Sequence, residues 1–108
     1  MVGGKRYRVR NDYAALKVFD PYSIIILLAL REGDMNISRI NHVAAKYADI
    51  TLLTTSVKLK KLVEHGLVEL KKTKRVAAFK EKIYGLTEKG KILADAFARF
   101  LNSVIEEG

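Results

Sequence analysis

A chain of 108 residues with 49% hydrophobic residues, and 20 Lys and Arg against 12 Asp and Glu, carries a formal charge of +8. That length suits one hydrophobic core, the apolar content excludes global disorder, and the surplus of cations favours polyanionic partners. The lack of cysteine excludes disulfides, thiolate metal sites and thiol catalysis.

The longest apolar run, Ile24 to Leu30, has seven residues, whereas a bilayer span needs about 20. Lys5, Arg6, Arg8 and Arg10 adjoin no apolar segment, so no secretory signal and no membrane association are expected, and the expected location is cytoplasmic. The charge is sorted along the chain. Residues 1–10 hold four cations and no acid, residues 54–82 hold nine cations and three acids, and the remainder is net negative.

In chain order, Lys5 to Arg10 alternates, with Arg6, Arg8 and Arg10 on one side and Tyr7 and Val9 on the other. That period of two predicts an edge strand or an extended arm, the latter able to enter a minor groove. Residues 1–19 form this arm and its lead-in, with Tyr13, Leu16 and Val18 or Phe19 as anchors to the core. Asp20-Pro21 is a strong helix start, because Asp caps orphan N–H groups and Pro at the first helical position lacks one. The helix that follows is apolar nearly all round and stops at Gly33, which makes it the central helix of the core or one shared with a second subunit.

Ser38 or Asn36 caps a second helix over about 39–48, with Ile40, Val43, Ala44 and Tyr47 as its buried stripe. After the connection Asp49-Ile50-Thr51, a third helix over 52–65 ends at Gly66, and helix, tight turn, helix is the helix-turn-helix unit. Leu67 to Leu70 reads as a strand, residues 71–80 as a basic loop and Lys82 to Leu86 as the returning strand, so that 67–86 is a wing. Thr87 caps a last helix over 88–106. The fold class is mainly α with a small β-hairpin wing: a winged helix-turn-helix core over 20–87 and an added C-terminal dimerisation helix over 88–108.

Two phrases carry a family likeness. Leu59-Lys60-Lys61-Leu62-Val63-Glu64-His65-Gly66-Leu67-Val68 resembles a recognition helix running into a first wing strand. Lys82-Ile83-Tyr84-Gly85-Leu86-Thr87-Glu88-Lys89-Gly90 resembles the second wing strand running into the final helix. Together they resemble the PadR and MarR groups of prokaryotic winged-helix transcription regulators over about residues 22–100. Lys72-Thr73-Lys74-Arg75 stands where the MarR wing has Asp-x-Arg, and Leu53-Thr54-Thr55 stands near the usual PadR Tyr-Pro, so the subfamily stays open.

Winding residues 52–66 at about 100° per residue puts Leu52, Thr55, Ser56, Leu59, Leu62, Val63 and Gly66 on one face. Thr54, Val57, Lys58, Lys61, Glu64 and His65 fall on the other, with Lys60 on the flank. An apolar back with a front of short polar groups and cations suits the major groove, where Lys reaches guanine O6 and N7 and Val57 meets a thymine methyl. The N-terminal part reaches deepest, so Thr54, Thr55, Val57 and Lys58 are the expected base readers, and Lys60 and Lys61 the expected phosphate contacts. An ordinary solvated lysine face is the competing reading. Against it, the charge continues into the wing through Lys71, Lys72, Lys74, Arg75, Lys80 and Lys82. Lys72, Lys74 and Arg75 are the expected wing contacts, with Arg75 suited to a minor groove.

In the last helix Leu93, Phe97, Phe100, Leu101 and Val104 form a face wide for one-sided packing. Pairing with a second copy buries it; folding back on its own core is the alternative. His42 and His65 lie on different helices, and no metal-ligand spacing, nucleophile motif or phosphate loop accompanies them. The expectation is a homodimeric, sequence-specific double-stranded DNA-binding regulator, by default a repressor, with no cofactor, no metal and no enzyme activity. A protein-docking winged helix and a non-specific nucleic-acid binder are the alternatives. Nothing in the residues supports a small-molecule effector, for which a pocket would have to lie between dimer helices.

Overall fold

The structure is a computed structural model that describes residues 19–107. The elements run α1 (Pro21–Leu30), α2 (Ile37–Ala44), α3 (Leu52–Glu64), β1 (Val68–Val76), β2 (Phe79–Leu86) and α4 (Glu88–Glu107). Three helices, a hairpin and a final helix make the expected winged-helix arrangement. The anticipated arm, with Arg6, Arg8 and Arg10, lies outside the described residues.

Asp20 caps α1, its carboxylate accepting the Ser23 N–H at 2.8 Å, and Pro21 occupies the first turn. Ile26, Leu27, Ala29 and Leu30 are buried, and α1 packs on all three other helices. It is the axis of the core. Ile40, Val43 and Ala44 of α2, Leu59 and Leu62 of α3, Leu67, Val68, Leu86 and Ala94 close around it.

Asn36 caps α2, accepting the Arg39 N–H at 2.8 Å. The helix starts two residues before the expected range and ends at Ala44, where Lys46 and Tyr47 turn back in tight hydrogen bonds to Val43 and Ala44. The helical register therefore fails to reach Tyr47, which is 67% exposed and not part of the buried stripe.

Helix α3 ends in a two-bond C-terminal motif. The Leu67 N–H donates to the Leu62 carbonyl and the Gly66 N–H to Val63, both at 3.0 Å. Gly66 sits at φ +74°, the left-handed conformation this ending requires and that glycine adopts without cost.

The wing is longer than its sequence pattern suggests. Residues 71–80 are not a loop: the antiparallel pairing continues to Val76↔Phe79, closed by the two-residue turn Ala77-Ala78. Both faces of this stretch are exposed, so it lacks the apolar alternation that marks a half-buried strand. A bulge at Lys71 shifts the register between Leu70↔Tyr84 and Lys72↔Ile83. Met35 and Tyr84 exchange two backbone hydrogen bonds of 2.9 Å, a single bridge on the outer edge of β2. Among the described residues no helix is long and apolar enough to cross a membrane.

Candidate nucleic-acid interface

Which face of α3 points outward is settled by its anchors. Thr55, Leu59 and Leu62 are buried, and the Thr55 hydroxyl donates to Asn41 Oδ1 on α2 at 2.7 Å. Thr55 is therefore a bolt between the two helices of the motif and not a base reader, since a fully buried hydroxyl reaches no groove. Lys58 departs from its expected role too. Its ammonium is paired with the Asp20 carboxylate at the start of α1, and both side chains are largely covered. Burial pushes the Asp20 carboxyl up, but the Lys58 ammonium and the Ser23 amide together outweigh burial and hold its pKa below the ordinary 3.8.

With the buried line fixed, the exposed front of α3 centres on Leu53, Val57, Lys60, Lys61 and Glu64. Val57 and Lys61 keep the outward side that the sequence pattern gives them, and Lys60 moves from the flank to the front. Thr54 lies on the flank, half-buried, with its N–H donating to the capping Thr51 hydroxyl at 3.1 Å. Leu53, 75% exposed, was absent from the expected set. Its signal was available: it precedes Val57 by four residues, one turn along the same row.

The hairpin register sorts the wing cations. Arg75 faces Lys80 and Thr73 faces Lys82 on one side of the ribbon; Lys72 faces Ile83 and Lys74 faces Glu81 on the other. The three expected wing contacts are thus divided, with Arg75 apart from Lys72 and Lys74. Lys80 and Lys82 join Arg75 on one face, which only the register reveals. None of the three forms an ion pair with another described residue. Arg75 and Lys80 directly opposite each other repel, and a phosphate between them relieves that repulsion. Lys71, in the bulge, is engaged by Glu69 at 3.0 Å, a contact that raises its pKa.

Helix α4 divides the expected dimer residues in the same manner. Leu93 and Phe97 are half-buried against the protein's own core, Phe97 meeting Phe19 edge-on at 6.0 Å. Phe100, Leu101 and Val104 are exposed, together with Ile92 and Ile105. A groove of about 610 Å³ between α1 and α4 is lined by Ile25, Leu28, Tyr47, Leu101 and Ile105. Among the described residues, no three His, Asp or Glu side chains gather as metal ligands.

The fold matches those of known regulators. A MarR-family transcriptional regulator of Enterococcus faecalis superposes with a TM-score of 0.73 at 16% identity, over 98% of this chain and 93% of that one. The regulator ytfH of Salmonella typhimurium gives 0.70 at 22% identity, over 86% and 80%. PadR of Bacillus subtilis, solved in complex with operator DNA, gives 0.64 at 22% identity over 72% of this chain and 46% of PadR, so the match spans less than half of PadR's length. A comparison with curated proteins found no match. The sequence profile described as HxlR-like helix-turn-helix matches residues 18–106, nearly the whole chain, and this protein belongs to that family.

Proposed function

We propose that this chain is a sequence-specific double-stranded DNA-binding transcription regulator that acts as a homodimer and represses by occupying its operator. The observation that carries this reading is a set of cations on α3 and the wing that pair with no acid among the described residues. They are Lys60 and Lys61 on the front of α3, and Arg75, Lys80 and Lys82 together on one face of the wing. Family membership and the likeness to PadR, which was solved on operator DNA, support it.

In this reading α3 enters the major groove, Lys60 and Lys61 meet phosphates, and the Arg75 face of the wing lies along the backbone or in the minor groove. Residues 20–87 form the DNA-binding unit, and the arm over 1–19 adds contacts through Arg6, Arg8 and Arg10. The exposed residues of α4 pair with a second copy, setting two recognition helices about 34–36 Å apart on successive major grooves. Lys58 serves by holding α3 against α1, and no residue is assigned a catalytic role.

The test is binding to a random duplex pool at several salt concentrations, with sequencing of the retained DNA. The expected result is an enriched near-palindrome whose affinity falls steeply with salt as counterions are released. Binding without enrichment replaces this reading with a non-specific one; no binding at low salt moves the function to a protein partner.

A further inference from the structure

The end of α3 that reaches deepest into a groove is apolar. Leu53 is 75% exposed and Val57 46% exposed, and their spacing of four makes them neighbours on the helix surface. They stand opposite the buried Thr55, Leu59 and Leu62, at the centre of the outward face. The helix contains no Arg, Asn or Gln, so among the side chains that grip purines with two hydrogen bonds only its lysines remain. The one cation in its first two turns, Lys58, is committed to Asp20. The cations that pair with no acid among the described residues begin at Lys60 and Lys61, further along the same side of the helix, and recur on the wing, so none occupies the place of the apolar pair.

Single exposed apolar residues are ordinary on protein surfaces. Two adjacent ones with Lys60 and Lys61 beside them suit an occupant that offers an apolar contact next to anionic groups. A major groove with thymine 5-methyl groups on its floor and phosphates along its walls has that arrangement. Resting on the DNA-binding reading above, we infer that Leu53 and Val57 read thymine methyl groups, so that the operator half-site beneath the start of α3 is thymine-rich and not guanine-centred. Specificity is then carried by van der Waals contact with a methyl, and affinity by the surrounding lysines and arginine.

The test uses the duplex recovered from the random pool, with each thymine replaced in turn by deoxyuridine, which removes the methyl and nothing else. One or two positions per half-site are expected to lose about fourfold in affinity per methyl, the worth of burying one such group. Leu53→Ala or Val57→Ala is expected to abolish that loss at its own position while leaving the salt dependence unchanged. Lys61→Ala, by contrast, weakens all duplexes alike and lowers the salt dependence. A guanine-centred motif indifferent to every deoxyuridine replacement, or a Leu53→Ala variant with the wild-type motif and affinity, overturns the inference and leaves specific DNA binding standing. Absence of salt-dependent binding to any duplex overturns both.

Discussion

The Thr87 hydroxyl donates to the carbonyl oxygen of Gly66 at 2.7 Å, joining the end of the recognition helix to the start of the last helix across the whole wing. The Thr87 hydroxyl oxygen in turn accepts the Gly90 N–H at 3.0 Å, and the Thr87 N–H donates to the Leu67 carbonyl at 3.1 Å. The Leu-Thr-Glu-Lys-Gly phrase is thereby explained residue by residue. Thr87 is cap and clasp at once, and Gly90 has no room for a side chain, because a Cβ there would lie 2.0 Å from the Leu67 carbonyl oxygen.

Thr87→Ala is expected to destabilise the fold by about 1–2 kcal/mol, the sum of a lost cap and an unpaired carbonyl, with Thr87→Ser recovering most of it. Gly90→Ala costs at least as much, because its obstacle is backbone and cannot swing aside. Urea denaturation of the three variants checks the order.

The Asp20–Lys58 pair makes a pH prediction. A carboxyl whose folded pKa lies below its unfolded value stabilises the fold fully above the unfolded value of 3.8, and this contribution disappears as pH falls through the lower folded value. Asp20→Asn keeps the cap but removes the charge, so its deficit should be below about 1 kcal/mol at neutral pH and vanish in acid. Lys58→Ala should show the same small neutral-pH deficit, with an unchanged base preference in its selected operator. Thermal melts between pH 2 and 7 in steps of about one unit follow the first effect over the linkage window.

On the wing, Arg75→Ala, Lys80→Ala and Lys82→Ala should each lower the salt dependence of DNA binding by about 0.9 in log–log slope if each neutralises one phosphate. Lys74→Ala should do less, since Lys74 stands across from Glu81. Titrations at four or more salt concentrations separate the two groups.

On the proposed dimer, helix α4 separates packing from association. Phe100→Asp and Ile105→Asp should yield folded monomers by sedimentation equilibrium, because both side chains are exposed in the single chain. Phe97→Ala should remain dimeric while losing about 2 kcal/mol of stability, roughly half of what a fully buried phenylalanine costs.

The order of elements was legible because the local signals agree: Asp20-Pro21 opens α1, Gly66 closes α3, and Thr87 opens α4. What stayed hidden was set by partners distant in sequence. Thr55 reads as a short polar reader until Asn41, fourteen residues away, accepts its hydrogen bond. Lys58 reads as a free cation until Asp20, thirty-eight residues away, claims it. The wing cations could be counted but not assigned to faces, since one bulge at Lys71 changes which side each occupies. Leu53 was passed over because an apolar residue at a helix start looks like core until the buried line is known.

Asn36 caps α2 with its carbonyl oxygen and donates its amide to Glu81 of β2, while Met35 pairs with Tyr84 beside it. Those contacts hold β2 from Tyr84 out to Glu81 against the start of α2, and residues 75–80 beyond Glu81 are all exposed. The outer wing is thus a cantilever that springs from the same joint that starts the helix-turn-helix. Its length is a free parameter of the architecture: adding two residues to each strand extends the reach along the duplex by about 7 Å and preserves the phase of the Arg75 face. Adding one to each turns the charged face of everything outboard of the insertion to the opposite side. Such a scaffold can retune its footprint on DNA in two-residue steps without disturbing the core that folds it.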